Sequence, residues 1–125
     1  MAVKVITYDV GTTGLKTCLF RVSAEESVQY LAGETDTYEL HVLENGGVEQ
    51  DPEDWWAAMS RSTKKLLKKA GVDKSEIGGI SFCSQFQTVV MVDENGKPLR
   101  RAMSCMDARA DRQFKNCMNT GIKVE

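Results

Sequence analysis

Two β-type runs separated by a four-residue corner open the chain. Residues 3–10 read VKVITYDV, residues 15–22 read LKTCLFRV, and Gly11-Thr12-Thr13-Gly14 stands between them. Apolar and β-branched runs bounded by turn-formers make strands, and so short a gap makes this pair a hairpin. On the first strand Val3, Val5, Thr7 and Asp9 share one face. Tyr30-Leu31-Ala32 and residues 35–43 (TDTYELHVL) supply third-strand material. Asn45-Gly46-Gly47 is a loop with two glycines able to take positive φ. A sheet that begins this way is antiparallel at its start, which a simple doubly wound fold is not.

Asp51-Pro52-Glu53-Asp54 is the clearest helix start. Asp51 can cap, Pro52 suits the first helical position, and two carboxylates follow at the positive end of the dipole. The helix is predicted to run to about Ala70 and to stop at Gly71. Trp56, Met59, Thr63, Leu66, Leu67 and Ala70 keep helical spacing and are expected to face the core. Lys64, Lys65, Lys68 and Lys69 belong to a solvated face near its C-terminal end.

Residues 78–84 (GGISFCS) read as a buried strand that Gln85-Phe86-Gln87 breaks. Residues 88–92 (TVVMV) start another, and Asp93-Glu94-Asn95-Gly96 turns the chain back into Lys97-Pro98-Leu99. From Asp107 the pattern DARADRQFKNCM is helix-compatible, with Asp107 a candidate N-cap. The expected class is α/β, a mixed sheet opening with an antiparallel three-strand meander and flanked by helices.

A length of 125 residues fits one domain. Sixteen Lys and Arg against 18 Asp and Glu leave a net charge of -2, which excludes a basic nucleic-acid or anionic-lipid surface. At 42% hydrophobic, the composition is not that of a disordered tail. No apolar run approaches the roughly 18 residues of a membrane span, and the start does not read as a secretory signal. Cys18, Cys83, Cys105 and Cys117 form no C-x-x-C pair, and His41 is the only histidine, so a zinc ligand set is missing. Cys83 and Cys105 are expected to be buried thiols, and the cysteines suit a reducing, cytoplasmic setting.

Chemistry concentrates in Asp9-Val10-Gly11-Thr12-Thr13-Gly14-Leu15-Lys16. Amides in a Gly-containing turn can converge on anionic oxygens, Thr12 and Thr13 add hydroxyl donors, and Lys16 adds a positive charge. Asp9 repels phosphate but can hold Mg²⁺ or its water shell. The Walker pattern is absent, and an ordinary hairpin turn would contain the same residue types. Trp55 and Trp56 point about 100° apart on a helix, so at most one of them can face a given site.

Residues 5–20, containing ITYDVGTTGLKTCLF, resemble the first phosphate-binding hairpin of the FGGY family of carbohydrate kinases, in the wider sugar-kinase, actin and heat-shock-ATPase group. Three further stretches are similar to that family in the same order: GVEQDPEDWW (47–56), GISFCSQFQ (79–87) and PLRRAMSCMDARAD (98–111). The resemblance implies a ribonuclease-H-like domain and the cofactors ATP and Mg²⁺. By position, it implies Asp9 at the metal and Gly11, Thr12, Thr13 and Lys16 at the phosphates. Gln85, Phe86, Gln87 and Asp107 would lie toward the sugar, with Arg109 orienting Asp107.

The sequence departs from the family at three places. Gly14 stands where serine is common, Phe86-Gln87 where xylulose kinases carry Met-His, and Cys105-Met106 where many pentulose kinases carry Trp-Asn. These departures turn the expected substrate from xylulose toward polyols and other pentuloses or hexuloses. The family's general-base aspartate and adenine-binding lobe lie in later segments. Residues 1–125 are therefore expected to be the sugar- and phosphate-binding N-terminal lobe of a two-lobe kinase, truncated before the C-terminal nucleotide-binding lobe and inactive alone. Its expected partners are the sugar or polyol, ATP-Mg, the missing lobe and, through uncovered apolar surface, a second copy of itself. The alternative is a self-sufficient ligand-binding or interaction module with the same lobe fold and no catalysis.

Overall fold

The computed structural model describes residues 2–24 and 27–119, so residues 121–125, which close the sequence, lie outside the described residues. β1 (Ala2–Val10) and β2 (Gly14–Ser23) form the expected hairpin, with Asp9 opposite Lys16 and Val10 opposite Leu15. β2 pairs antiparallel with β3 (Val28–Thr37). β3 lies earlier than the 35–43 reading because Thr37 is already opposite Gly14, leaving no β2 residue to pair beyond it. The chain turns there into β4 (His41–Val42), which pairs with β5 (Val48–Gln50) in a second, smaller sheet.

α1 (Pro52–Ala70) follows and returns the chain to the first sheet, where β6 (Ile77–Ser84) runs parallel to β1. The main sheet therefore has the order β3-β2-β1-β6. β7 (Ala102–Met103) completes the small sheet beside β5, and α2 (Asp111–Asn119) follows. This is the mixed α/β sheet with an antiparallel three-strand opening that the sequence predicts.

α1 is built as its sequence dictates. The Asp51 side chain accepts from the Glu53 amide at 3.1 Å, Pro52 occupies the first turn, and Gly71 ends the helix at φ 63°. A left-handed residue at that position favours glycine. The helix lies over β2 and β3 and buries Ala58, Ser62 and Leu66 against Ile6, Tyr8, Leu15, Leu19 and Ala32. Polar side chains in this seam pair with one another: Thr17 with Ser62 at 2.7 Å and Tyr8 with Thr63 at 2.6 Å.

Several packing expectations are corrected. Trp56 is 68% exposed, since at 100° per residue it points roughly 160° away from Ala58 and roughly 120° away from Ser62, the centre of the buried stripe. β6 forms as a strand but is not buried: Ile80 is 63% exposed and Phe82 73%. It pairs only through β1 and lies beyond the strands that α1 covers. Cys83, on β6, is exposed for the same reason, and Cys105 is exposed in the loop before α2. Residues 88–92 make single bridges, Val89 to Met103 and Val92 to Pro98, rather than a strand. The 93–96 turn does form, with Gly96 at φ 78°. Asp107 does not cap α2, which begins at Asp111, because its carboxylate is engaged elsewhere.

Candidate functional site

The corner between β1 and β2 is closed by the Gly11 amide donating to the Gly14 carbonyl at 3.0 Å. Two more of its carbonyls are held by side chains. Tyr38 donates its hydroxyl to the Gly11 carbonyl, and Gln50 Nε2 donates to the Thr12 carbonyl at 2.8 Å. In a trans peptide the C=O of one residue and the N–H of the next point in opposite directions. Anchoring these two carbonyls therefore turns the amides of Thr12 and Thr13 the other way, and among the described residues no carbonyl receives them. Burial, with the Asp9 charge adding to it, pushes the Tyr38 hydroxyl up to about 12, so it remains a donor across the working pH range.

Gly14 is required by packing. A Cβ at this position would lie 2.8 Å from the Asp36 carbonyl oxygen of β3, so serine has no room here. The departure from the family pattern is thus matched to the close approach of β3.

Asp9 and Lys16 project on the face of the sheet that α1 leaves open. Asp9 Oδ2 is 3.8 Å from Lys16 Nζ, both side chains are substantially exposed, and Cys83 Sγ lies 3.6 Å from Asp9 Oδ1. They line an open cleft of about 330 Å³ with Cys18 and Ser81. Among the described residues no three metal-ligating side chains cluster. A lone exposed carboxylate beside an ammonium fits Mg²⁺, which keeps several waters and binds through one or two carboxylates plus substrate phosphates.

Gln85 continues the β1 ladder, its amide donating to the Val10 carbonyl at 2.8 Å. Its side chain reaches Gln50, Nε2 to Oε1 at 2.6 Å, so it is tied to the corner through one intermediate residue. Phe86 is 75% exposed, and Gln87 is held at φ 52°, a left-handed conformation unusual for glutamine. Gln85 also lines a second cleft, of about 320 Å³, with Trp55, Met59, Phe82 and Thr88.

Asp107 and Arg109 are brought together, and the guanidinium bonds the carboxylate directly. Arg109 Nε lies 3.0 Å from both Asp107 oxygens, and Nη2 lies 2.5 Å from Oδ2. The Val48 amide also donates to Asp107 Oδ2, at 3.0 Å. Arg109 Nη2 bridges on to Glu49 Oε1 at 2.7 Å, and Glu49 pairs with Arg100 as well. The Arg109 guanidinium holds Asp107 well below the usual carboxylate range and is itself pushed up. Glu49 is lowered for the same reason.

β5, like β7, is an element that the sequence reading missed. Its three buried residues each serve a different part: Val48 holds Asp107, Glu49 holds Arg109, and Gln50 holds Thr12 and Gln85. A three-residue strand shows no periodicity, and its only sequence signal is its place directly before the Asp51-Pro52 helix start.

The depressed carboxyls make a pH prediction. Unfolded Asp and Glu titrate at roughly 4. Folded Asp107 and Glu49 titrate lower, so their contribution is full above that range and is lost as pH falls through the folded values. Melting temperature measured from pH 7 to pH 2 is expected to fall below about pH 4, and Asp107→Asn to flatten that fall.

Residues 4–124 match the family model described as the FGGY family of carbohydrate kinases, N-terminal domain. The chain is 30% identical over 105 residues to a xylulose kinase of Staphylococcus epidermidis, covering 84% of this chain and 20% of that protein. It is 28% identical over 118 residues to a glycerol kinase of Roseobacter denitrificans, covering 94% and 23%. The crystal structure of a gluconate kinase from Lactobacillus acidophilus superposes with a TM-score of 0.83 at 24% identity, over 97% of this chain and 23% of that one. The fold is the ribonuclease-H-like, actin-like α/β fold of such kinases. The chain spans about a fifth of the length of the curated relatives it matches.

Proposed function

Because the chain belongs to the FGGY family of carbohydrate kinases, we propose that residues 1–125 are the N-terminal lobe portion of an ATP-dependent kinase that phosphorylates a hydroxyl of a sugar or polyol. The observation that carries this reading is the anchoring of the Gly11 and Thr12 carbonyls, which leaves the Thr12 and Thr13 amides as outward donors. These amides, the two threonine hydroxyls and the Lys16 ammonium bind the terminal phosphates of ATP and hold them against a rigid hairpin. Asp9 holds Mg²⁺ or its water shell at the edge of that cradle. When bound, Mg²⁺ neutralises charge on the phosphates.

Gln85, Phe86 and Gln87 receive the carbohydrate on the other side of the corner. Asp107 and Arg109 act at one remove. Their mutual bonds and their bonds to β5 fix the loop before α2 and leave Asp107 few free lone pairs for a ligand. The base that takes the acceptor hydroxyl's proton and the adenine-binding lobe belong to later sequence, so this chain alone is expected to bind without turning over. A cytoplasmic location suits the ATP requirement and the free thiols of Cys18, Cys83 and Cys105. Among the described residues no helix is long and apolar enough to cross a membrane.

Calorimetry of the chain with ATP, with and without Mg²⁺, and with a panel of pentuloses, hexuloses and polyols tests the reading. Weak Mg²⁺-dependent nucleotide binding and weak carbohydrate binding are expected. A folded sample that takes up neither removes the site from this lobe. ATP consumption by the complete reading frame over the same panel then identifies the acceptor.

A further inference from the structure

Gln50 is 1% exposed and makes two bonds of opposite polarity. The Thr12 carbonyl can only accept, so the end of the Gln50 carboxamide facing the corner must be Nε2, 2.8 Å away. Its Oε1 is thereby committed to the other side, where Gln85 Nε2 donates to it at 2.6 Å. That in turn settles Gln85. Its nitrogen is used, and its Oε1 lies buried with no donor among the described residues. A backbone carbonyl at the corner thus dictates, through two side chains, which atom Gln85 presents.

Two more buried polar atoms, Trp55 Nε1 and Thr88 Oγ1, are without partners among the described residues, and both residues line the same cleft as Gln85. Buried polar groups are rarely left unpaired. Here one acceptor, one donor and one hydroxyl that can do either lie along a wall of Trp56, Met59 and Phe82. Apolar surface with a few convergent polar groups is the make-up of a small-molecule site, and this donor–acceptor set suits a ligand with neighbouring hydroxyls.

We propose that Gln50 is a positioning residue. It holds the Gln85 carboxamide with its oxygen toward a ligand hydroxyl in the cleft beside Trp55 and Thr88, and it couples that oxygen to the Thr12–Thr13 corner. The polyhydroxylated nature of the ligand rests on the kinase reading; the two-bond relay does not. The coupling gives the corner a way to respond when the carbohydrate side is filled, because moving Gln85 pulls on the carbonyl that orients the Thr13 amide.

Amide and side-chain NMR on the 125-residue chain tests the relay without ligand. Gln85→Ala is expected to shift the Thr13 amide resonance in the wild-type background. In the near-isosteric Gln50→Met background the same substitution is expected to leave that resonance unmoved. An equal shift in both backgrounds, or none in either, overturns the relay. If Gln50→Met does not fold, the wild type decides. Slow solvent exchange of the Gln85 side-chain NH₂, with cross-peaks to Gln50, supports the relay, and a freely exchanging NH₂ refutes it. Xylitol titration then addresses the ligand separately. Perturbation of the Trp55 indole N–H is expected, with affinity about tenfold weaker in Gln50→Met. Equal affinity in wild type and Gln50→Met overturns the positioning role. Silence toward xylitol with the relay signals present removes the polyol reading and leaves the relay standing.

Discussion

On the proposed kinase activity, Asp9→Asn in the complete protein is expected to lower kcat by about 10²–10³-fold, the scale on which preorganised electrostatic groups act in transfer reactions. The amide keeps the shape of the carboxylate and removes the charge proposed above to hold Mg²⁺. Lys16 is left without the carboxylate 3.8 Å away, so attraction of the ammonium for phosphate is retained or strengthened. KM for ATP should therefore change far less than kcat. Stability should hardly move, because Asp9 and Lys16 are exposed and such pairs contribute little. Tyr38 gives a check on the folded corner. Its hydroxyl is raised to about 12 mainly by burial and secondarily by Asp9. Absorbance titration of Asp9→Asn should show Tyr38 moving down but staying above an ordinary tyrosine. Unchanged kcat in the variant would remove Asp9 from the metal.

Leu66→Ala is expected to destabilise the chain by about 2–5 kcal/mol, the usual range for removing a buried leucine side chain. Leu66 is fully buried on α1 among Ile6, Leu15 and Leu19 of the hairpin. α1 is the only helix over the main sheet among the described residues, so little else can close the cavity. Domains of this size have only about 5–15 kcal/mol in total. The loss would appear as a lower denaturant midpoint, with ligand affinity of the folded fraction preserved, because Leu66 lies far along α1 from Trp55 and Met59. The two substitutions should thus separate cleanly: Asp9→Asn loses catalysis with stability kept, and Leu66→Ala loses stability with binding kept. A denaturant midpoint within error of wild type would show that α1 does not carry the core as described.

The corner shows how far a sequence can be read and where reading stops. Gly11-Thr12-Thr13-Gly14 between two β-type runs identifies the hairpin and makes its corner a candidate anion cradle, but the same four residues would make an ordinary turn if their amides were occupied. What frees the amides is Tyr38 and Gln50, 27 and 38 residues away from the carbonyls they hold. No spacing rule joins a glutamine before a helix to a threonine in a distant turn. Arg109 is a second case. The Asp-x-Arg spacing brings Asp107 and Arg109 into reach, yet the link to Glu49 depends on β5 lying beside β7.

Local rules determined the β1–β2 hairpin, the span of α1 and its caps at Asp51 and Gly71, because period-two alternation, capping and left-handed glycine act between residues a few positions apart. Tertiary structure alone decided that β6 would pair with β1 and remain exposed, that Trp56 would face outward, and that β5 would connect the Asp107 loop, the corner and Gln85. Those outcomes depend on which elements meet across tens of residues, and a hydrogen bond formed only when two distant strands dock leaves no periodic trace in either strand's own sequence.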